Sequence, residues 1–369
     1  MNRRINRFVM FVVACMIPTL ILAAEERPAI DIVFCIDCSG SMGAVIETAK
    51  RKVWTIVNQV AQAQPAPVLR IGLIGYGDAD RSHRVFPLTD DLDQVYKDLM
   101  TFKDEGWGDE FVGLAVHKAT SEMKWSTGKQ VLRLIYMVGN ETAAQGPDQF
   151  DYKLTTPRAI AAGIQINAIY CGSADYDNAT PTWRELAKLA DGQYLEIAQD
   201  GGTVAVATPF DEEIAKLNEA LNKTYLAYGE QRREREAMQM EQDANASKVG
   251  GGEVLADRAL AKSSRQYRNA GWDLVDASKE ADFKLAEIAD DELPEPMRAL
   301  KPEERQAYID ARATERQAVQ QKIRDLADKR EAFIKEELAE QGGTADGFDV
   351  AVIESLRKQA SEKGFEFAK

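Results

Sequence analysis

Residues 31–43, DIVFCIDCSGSMG, join a buried-strand pattern to a turn and the start of a helix. The apolar run over residues 31–37 stops at a Cys-Ser-Gly turn, and residues 44–62 then carry apolar side chains at helical spacing. A short apolar run followed by an amphipathic helix is typical of a strand covered by that helix. This stretch therefore predicts an α/β fold.

The same alternation continues to about Gly229. Five further strands are predicted at residues 68–76, 82–88, 131–138, 164–170 and 193–198, and helices at residues 91–102, 110–123, 156–162, 182–190 and 210–228. Pro87 predicts an edge position for its strand, because proline has no N–H to donate. The rhythm predicts a doubly wound, mostly parallel sheet over residues 30–229 with helices on both faces.

After Gly229 charged helical sequence replaces the strand patterns. We predict an all-α extension over residues 230–369, with a linker near 243–252 that includes three consecutive glycines. Within residues 302–341, a seam of six positions repeats at steps of four and three: 319, 323, 326, 330, 333 and 337. The seam predicts either a helical bundle that packs on itself or a partner-binding coiled coil through which the chain forms oligomers.

The first 24 residues have the layout of a secretory signal peptide. Three arginines precede the apolar run over residues 8–24, which ends in Ala23 and Ala24. We expect cleavage near Ala24 and an exported protein, periplasmic or extracellular. The alternative is a membrane anchor formed by residues 8–24, at the lower limit of a bilayer span.

The composition excludes several classes of function. The chain has 46 basic and 60 acidic residues and a net charge of -14, which disfavours nucleic acids and anionic lipids as partners. Two histidines are too few for a His-rich zinc site, and the four cysteines do not fall into the two C-x-x-C pairs of a zinc ribbon. Phosphate-loop, nucleophile-elbow, dinucleotide-binding and zinc-protease motifs are absent from the sequence. We therefore predict a non-enzymatic protein.

The turn after the first strand is the strongest candidate site. Asp37, Ser39 and Ser41 place one carboxylate and two hydroxyls at alternate positions, at the strand end where ligands of parallel sheets gather. Three converging oxygens suit a hard cation such as Mg²⁺. The alternative is a helix-capping turn, which Ser39 or Ser41 could supply alone.

The D-x-S-G-S-M-G turn in this setting resembles the metal-ion-dependent adhesion site of von Willebrand factor A domains, and the resemblance covers residues 30–229. The stretches YGD (76–78), FPLTDD (86–91) and GWGDE (106–110) look like the bacterial and alpha-kinase-associated branch of that family. The resemblance implies a doubly wound sheet, a Mg²⁺ at its top and binding of protein partners. Nothing after Gly229 looks like an alpha-kinase catalytic domain.

Carried over residue by residue, the family's first metal loop matches fully, whereas the other two depart from its pattern. The position of the usual Thr is held by Asp109, and that of the usual Asp by Asn140. The resemblance thus implies Mg²⁺, with Mn²⁺ or Ca²⁺ as alternatives, at Asp37, Ser39, Ser41, Asp109 and Asn140, with Glu110 and Glu141 as further candidates. The alternative is a degenerate site kept as a structural turn.

The charge of the metal loops bears on the partner. A site with one direct carboxylate leaves a divalent ion under-neutralised and favours a partner's carboxylate in the open position. An acid in place of the neutral Thr, as at Asp109, reduces that preference.

The thiols admit one disulfide. Cys38 and Cys171 both follow strand ends, and we considered a bridge between them against the alternative of small buried thiols.

The leading hypothesis is an exported interaction or adhesion module with a Mg²⁺ site and a helical tail. One alternative is a structural scaffold with a degenerate site. Another is an accessory subunit of an enzyme assembly, against which the signal peptide argues, because ATP-driven partners need the cytoplasm.

Overall fold

One mixed sheet organises the first half of the chain. The computed structural model describes residues 27–78, 83–106, 108–172, 178–199, 206–340 and 347–367; the predicted signal peptide lies outside these ranges. The strands are β1 Ala29–Asp37, β2 Ala63–Gln64, β3 Val68–Tyr76, β4 Arg84–Thr89, β5 Val131–Gly139, β6 Gln165–Cys171, β7 Tyr194–Ile197 and β8 Glu366–Phe367.

The main sheet has the order β4-β3-β1-β5-β6-β7. Only the β3–β4 pair is antiparallel, and the other four pairs are parallel. β4 lies at the edge, as its proline predicted. The predicted doubly wound, mostly parallel sheet is therefore confirmed. The minor strands β2 and β8 form a separate antiparallel pair.

Helices cover both faces of the main sheet. The α-helices of the described ranges are α1 Gly43–Ala61, α2 Leu92–Met100, α3 Val112–Ser121, α4 Tyr152–Ala161, α5 Thr180–Leu189, α6 Asp211–Asn222, α7 Arg232–Lys262, α8 Leu274–Ala277, α9 Glu295–Arg298, α10 Pro302–Glu340 and α11 Phe348–Glu362. One face packs against α3, α4 and α5, and the other against α1, α2 and α11. Side chains of β1 alternate between these two cores, as a strand buried on both sides requires.

The helix that completes the sheet comes from the far end of the chain. Residues 210–228 were predicted as the closing helix, but α6 packs on α7 and α10 instead. In its place α11 lies against β5, β6 and β7. The Tyr136 hydroxyl lies 2.9 Å from Ser355 Oγ, and Asn167 Nδ2 donates to Gln359 Oε1 at 2.8 Å. The region after Gly229 therefore supplies part of the sheet's own core.

The predicted linker near 243–252 lies inside α7. Gly250 and Gly251 leave helical geometry, with φ at +63° for Gly251, a value that favours glycine. Across this break Arg258 Nε donates to Asp243 Oδ1 at 2.5 Å, although 15 residues of straight helix would span about 22 Å. The two halves of α7 therefore fold back on each other, and the glycines form the turn of a packed hairpin instead of a linker.

Three buried arginines join the helical region to the rest. Arg258 pairs with Asp93 of α2 at 2.7 Å and lies over the Trp54 ring. The other two lie on α10. Arg316 binds Asp273 at 2.7 Å and donates from Nε to Thr224 Oγ1 at 3.0 Å. Arg330 binds Asp211 at 2.8 Å and Asp257 at 2.9 Å.

The predicted seam of α10 is occupied within the chain. Val319, Ile323 and Leu326 join the large core cluster, and Phe333 contacts Phe210 edge-on. The self-packing bundle is thus the alternative seen in the structure, and the oligomer stays a prediction. Within the described ranges, no helix combines the length and apolarity needed to span a membrane.

Leu356→Ala tests whether α11 belongs to the core. Leu356 is fully buried, so we expect the free energy of unfolding to fall by about 2–5 kcal/mol in urea denaturation. The control Leu154→Ala removes a leucine that is 51% exposed, and its effect should stay within about 0.5 kcal/mol. Equal effects of the two variants would contradict this packing.

Asp243→Asn tests the buried charges. Burial acts to raise the pKa of Asp243, but Arg258 and Lys262 outweigh it and hold that pKa well below its usual range. Removing the charge leaves two buried cations short of a partner, and we expect a loss of about 3–5 kcal/mol near neutral pH.

The same variant has a defined pH dependence. Because the folded pKa of Asp243 is depressed, its contribution is complete above about pH 4 and is lost as the pH falls further. The stability difference between wild type and Asp243→Asn should therefore shrink in acid. The exposed Asp282→Asn serves as control, and a difference that stays constant down to pH 2 would refute the assignment.

Candidate metal centre

The two ends of β1 carry buried aspartates in opposite electrostatic settings. Asp31 receives Arg70 Nε at 2.9 Å and Arg70 Nη2 at 2.6 Å, together with the backbone N–H of Ser126. At the other end, Asp37 forms no ion pair with any Lys, Arg or His among the described residues. Its neighbours are Ser39 and a second carboxyl, that of Glu110. Within the described ranges, Asp37 is thus a buried acid without a counter-charge.

The turn after β1 brings its oxygens together. Ser39 donates its backbone N–H to Asp37 Oδ1 at 2.7 Å, and its hydroxyl lies 3.2 Å from both Asp37 Oδ2 and Ser41 Oγ. The turn closes through Met42 N–H to Ser39 O at 3.1 Å. No side chain caps the start of α1, so the capping alternative for the two serines does not hold in this structure.

The second loop turns Glu110 inward. Glu110 is 1% exposed and its carboxyl is hydrogen-bonded to Asp37, whereas Asp109 is exposed. The N–H of Glu110 donates to Gln145 Oε1, and the next residue, Phe111, donates its N–H to Gly77 O at 3.0 Å. These backbone bonds orient the loop. Of the two candidate acids, Glu110 is the one next to Asp37.

The third loop follows β5. Asn140 Nδ2 donates to Ser41 Oγ at 2.9 Å, which places this side chain at the same cluster. Glu141 is exposed, and its charge acts on both Asp37 and Glu110. Its carboxylate accepts a hydrogen bond from Gln145 Nε2 at 2.7 Å. The structure therefore brings together Asp37, Ser39, Ser41, Glu110 and Asn140, with Glu141 and Asp109 farther out.

The two inner carboxyls have raised pKa values. Burial is the main cause for both; the charge of Asp37 raises the pKa of Glu110 further, while the hydrogen bond from Glu110 acts to lower that of Asp37. Each of two buried carboxyls in contact disfavours ionisation of the other, and a nearby cation would favour the ionised form of both.

The donor set fits a hard divalent cation. Glu110 Oε2 and Asn140 Oδ1 are buried acceptors without a hydrogen-bond donor, and the Asp37 carboxyl and the Ser39 and Ser41 hydroxyls add further oxygens. Oxygen ligands of this kind favour Mg²⁺, Mn²⁺ or Ca²⁺. Across the described residues there is no cluster of three or more His, Cys, Asp or Glu arranged to hold a metal, so a cation here would depend on the hydroxyls and the amide as well.

Three residues that position these loops escaped sequence reasoning. Tyr76 donates its buried hydroxyl to Val138 O at 2.9 Å, beneath the first and third loops. Trp183 donates to Glu141 O at 2.5 Å, and Gln145 bridges the second and third loops. Each acts across a long sequence separation, and no local pattern marks it.

The three cysteines in the described ranges are not bridged. Cys35, Cys38 and Cys171 are buried free thiols. β5 separates β1 from β6 in the sheet, so Cys38 and Cys171 belong to strands that are not neighbours. These cysteines are therefore small buried thiols, the alternative to a disulfide. Burial raises the pKa of Cys38 to about 12.

Residues 31–190 match the family model of the von Willebrand factor type A domain. No match was found among curated proteins. The match concerns the domain as a whole, and the metal site and the branch of the family remain predictions.

Solved structures of low identity also resemble part of the chain. The conserved hypothetical protein BatB from Bacteroides thetaiotaomicron is 18% identical over 46% of this chain and 91% of its own, with a TM-score of 0.36. Proximal thread matrix protein 1 from the mussel byssus, with a zinc-occupied MIDAS motif, is 15% identical over 48% of this chain and 43% of its own, with a TM-score of 0.38. The SpRpn10 VWA domain is 17% identical over 46% of this chain and 88% of its own, with a TM-score of 0.35.

The family match covers five of the six strands of the main sheet and ends just before β7. The matched segment runs from β1 to the end of α5 and so contains all three loops of the cluster. Residues 31–190, which match the family model, thus have the von Willebrand factor type A fold.

Proposed function

We propose that this chain is a non-enzymatic protein-interaction module that holds a divalent cation, Mg²⁺ before Mn²⁺ or Ca²⁺, at the carboxyl edge of its sheet. Von Willebrand factor type A domains commonly mediate protein–protein interaction, which supports the first half of the proposal. The proposed ligands are Asp37, Ser39, Ser41, Glu110 and Asn140, with Asp109 and Glu141 at the rim.

The observation that carries the cation site is the missing counter-charge of Asp37. The buried Asp31 on the same strand has Arg70, whereas among the described residues Asp37 meets only the hydroxyl and N–H of Ser39 and the Glu110 carboxyl. Burying an acid without a counter-charge is costly. A divalent cation would supply the positive charge and present an open coordination position to a partner.

The chain's own residues are arranged for that role. The N–H of Ser39 fixes one oxygen of Asp37, while Gln145 fixes the backbone of Glu110. The side chains of Ser39, Ser41 and Asn140 form one hydrogen-bonded series beside them. Little rearrangement is needed before a cation binds, because the hydrogen bonds that hold the loops do not involve Glu110 Oε2 or Asn140 Oδ1. These two acceptors stay available to the cation.

Metal titration tests the site. Ligand binding to the folded state stabilises it by about 2.7 kcal/mol at a hundredfold excess over the dissociation constant, so the melting temperature should rise with Mg²⁺ or Mn²⁺. Asp37→Ala should abolish the rise and Glu110→Ala should strongly reduce it. Asp109→Ala, one residue away but exposed, should keep most of it. The distant Asp282→Ala is the matched control for removal of one acid.

A structural scaffold is the second candidate. It is favoured by the hydrogen bonds that link Ser39, Ser41 and Asn140 to one another, since they leave the turn closed without a metal. If the wild type shows neither a thermal shift nor heat of binding at millimolar Mg²⁺ or Mn²⁺, the scaffold replaces the cation-bearing module.

We also propose export, from the signal-peptide pattern of residues 1–24. Amino-terminal sequencing of protein made in cells should find a chain that begins near Glu25. A chain that still begins at Met1 or Asn2 would instead make residues 8–24 a membrane anchor.

A further inference from the structure

We infer that the partner surface recognised at this site is basic, presenting Lys or Arg side chains, in contrast to the metal-bridging carboxylate that the family resemblance implies. This inference rests on the proposed cation site. It concerns the charge that Glu110 and the surrounding acids add to that site.

The first step is the charge of the filled centre. Ligating carboxylates must be ionised, and Asp37 and Glu110 both lie at the cluster, buried and in contact. Two carboxylates balance one divalent cation. Since no net positive charge remains, a partner's carboxylate gains little by entering the open position and loses its own hydration.

The second step is the charge of the rim. Asp104 lies against the backbone of Gly43, at the start of α1. Glu105 donates its N–H to Cys38 O, within the metal loop, at 2.8 Å. Asp109 and Glu141 are exposed on the second and third loops.

Among the described residues, Arg84 places its Nη2 3.9 Å from Cys38 Sγ, and Lys103 directly precedes Asp104 in the chain. Arg84 is engaged with Glu105 at 3.2 Å, so its charge is already matched. Lys103 is exposed and offsets one of the three remaining acids. The surface around a filled and neutral centre is therefore acidic, in keeping with the net charge of -14 of the whole chain.

The third step is the hydrogen-bonding character of the cluster. Glu110 is 99% buried, and its Oε2 has no donor; Asn140 Oδ1 is likewise buried without one. These atoms point to a cation at the centre, independently of the rim. The rim itself offers carboxylate acceptors. Lys and Arg carry only donors and positive charge, so they complement such a surface, whereas Asp and Glu would be repelled over roughly 8 Å at physiological salt.

The test compares two labelled peptides of equal length, one with four Lys and one with four Glu spaced by Gly and Ser, by fluorescence anisotropy with the full chain in Mg²⁺ at low salt. Binding of Mg²⁺ alone is measured first by calorimetry. We expect the Lys peptide to bind and the Glu peptide not to bind. If Mg²⁺ itself fails to bind, the proposed cation site falls. If Mg²⁺ binds and the Glu peptide is preferred, only the present inference falls.

Variants separate the rim from the overall negative charge. The rim acids are replaced together, as Asp104→Asn, Asp109→Asn and Glu141→Gln. The affinity for the Lys peptide should fall by about tenfold or more. The matched control replaces three exposed acids of the helical region, Asp282→Asn, Asp291→Asn and Glu303→Gln, and should change the affinity little. Equal losses would mean that the peptide senses only net charge, and would overturn the inference.

Glu110→Thr tests the role of the second buried carboxylate. Thr keeps a ligating oxygen but carries no negative charge. The net charge of the filled centre is therefore one unit more positive. The variant should still bind Mg²⁺, with lower affinity, and should gain binding of the Glu peptide that the wild type lacks. A variant that binds Mg²⁺ and still ignores the Glu peptide would show that Glu110 does not set the partner's charge.

Discussion

The burial of β1 on both faces is the constraint on which the rest of the structure depends. All nine of its residues are buried, and its neighbours β3 and β5 pair with it in parallel on either side. A strand in this position needs a hydrophobic cover above and below, and its polar ends must be satisfied in place. The first requirement explains where the helices lie, and the second explains the chemistry at the two ends.

The need for a cover draws in segments that are distant in sequence. α11 lies on β5–β7 although it begins more than a hundred residues after β7. The helical region is held to the α2 side by Arg258, which pairs with Asp93 and stacks over Trp54. Buried ion pairs of this kind contribute less to stability than their geometry suggests, because both charges are desolvated. Their effect here is to specify one arrangement of the helices against the sheet, since any other leaves buried charges unpaired.

The ends of β1 show how the same residue type acquires different roles. Asp31 is neutralised by Arg70 and serves the fold. Asp37 meets another acid, Glu110, at the edge of the sheet where ligands of α/β proteins bind, and Glu110 Oε2 and Asn140 Oδ1 are left there without donors. Buried acceptor atoms without hydrogen-bond donors lower the stability of the folded state. They are the physical basis on which a cation, and beyond it a partner surface of opposite charge, is proposed.

Local periodicity was enough to predict six strands of the main sheet and the edge position of Pro87, and the D-x-S-x-S turn was enough to indicate a candidate site. These features depend on residues within about twenty positions of one another, where spacing and burial are directly linked. The sequence did not reveal that α11 completes the sheet, that Gly250 and Gly251 close a hairpin, or that Glu110 turns inward while Asp109 stays exposed. Each of these outcomes depends on contacts between segments far apart in the chain, such as Gln145 with the Glu110 backbone. Only the packed tertiary structure selects among the alternatives, because the free energy that separates them comes from burial and charge pairing that neither segment has alone.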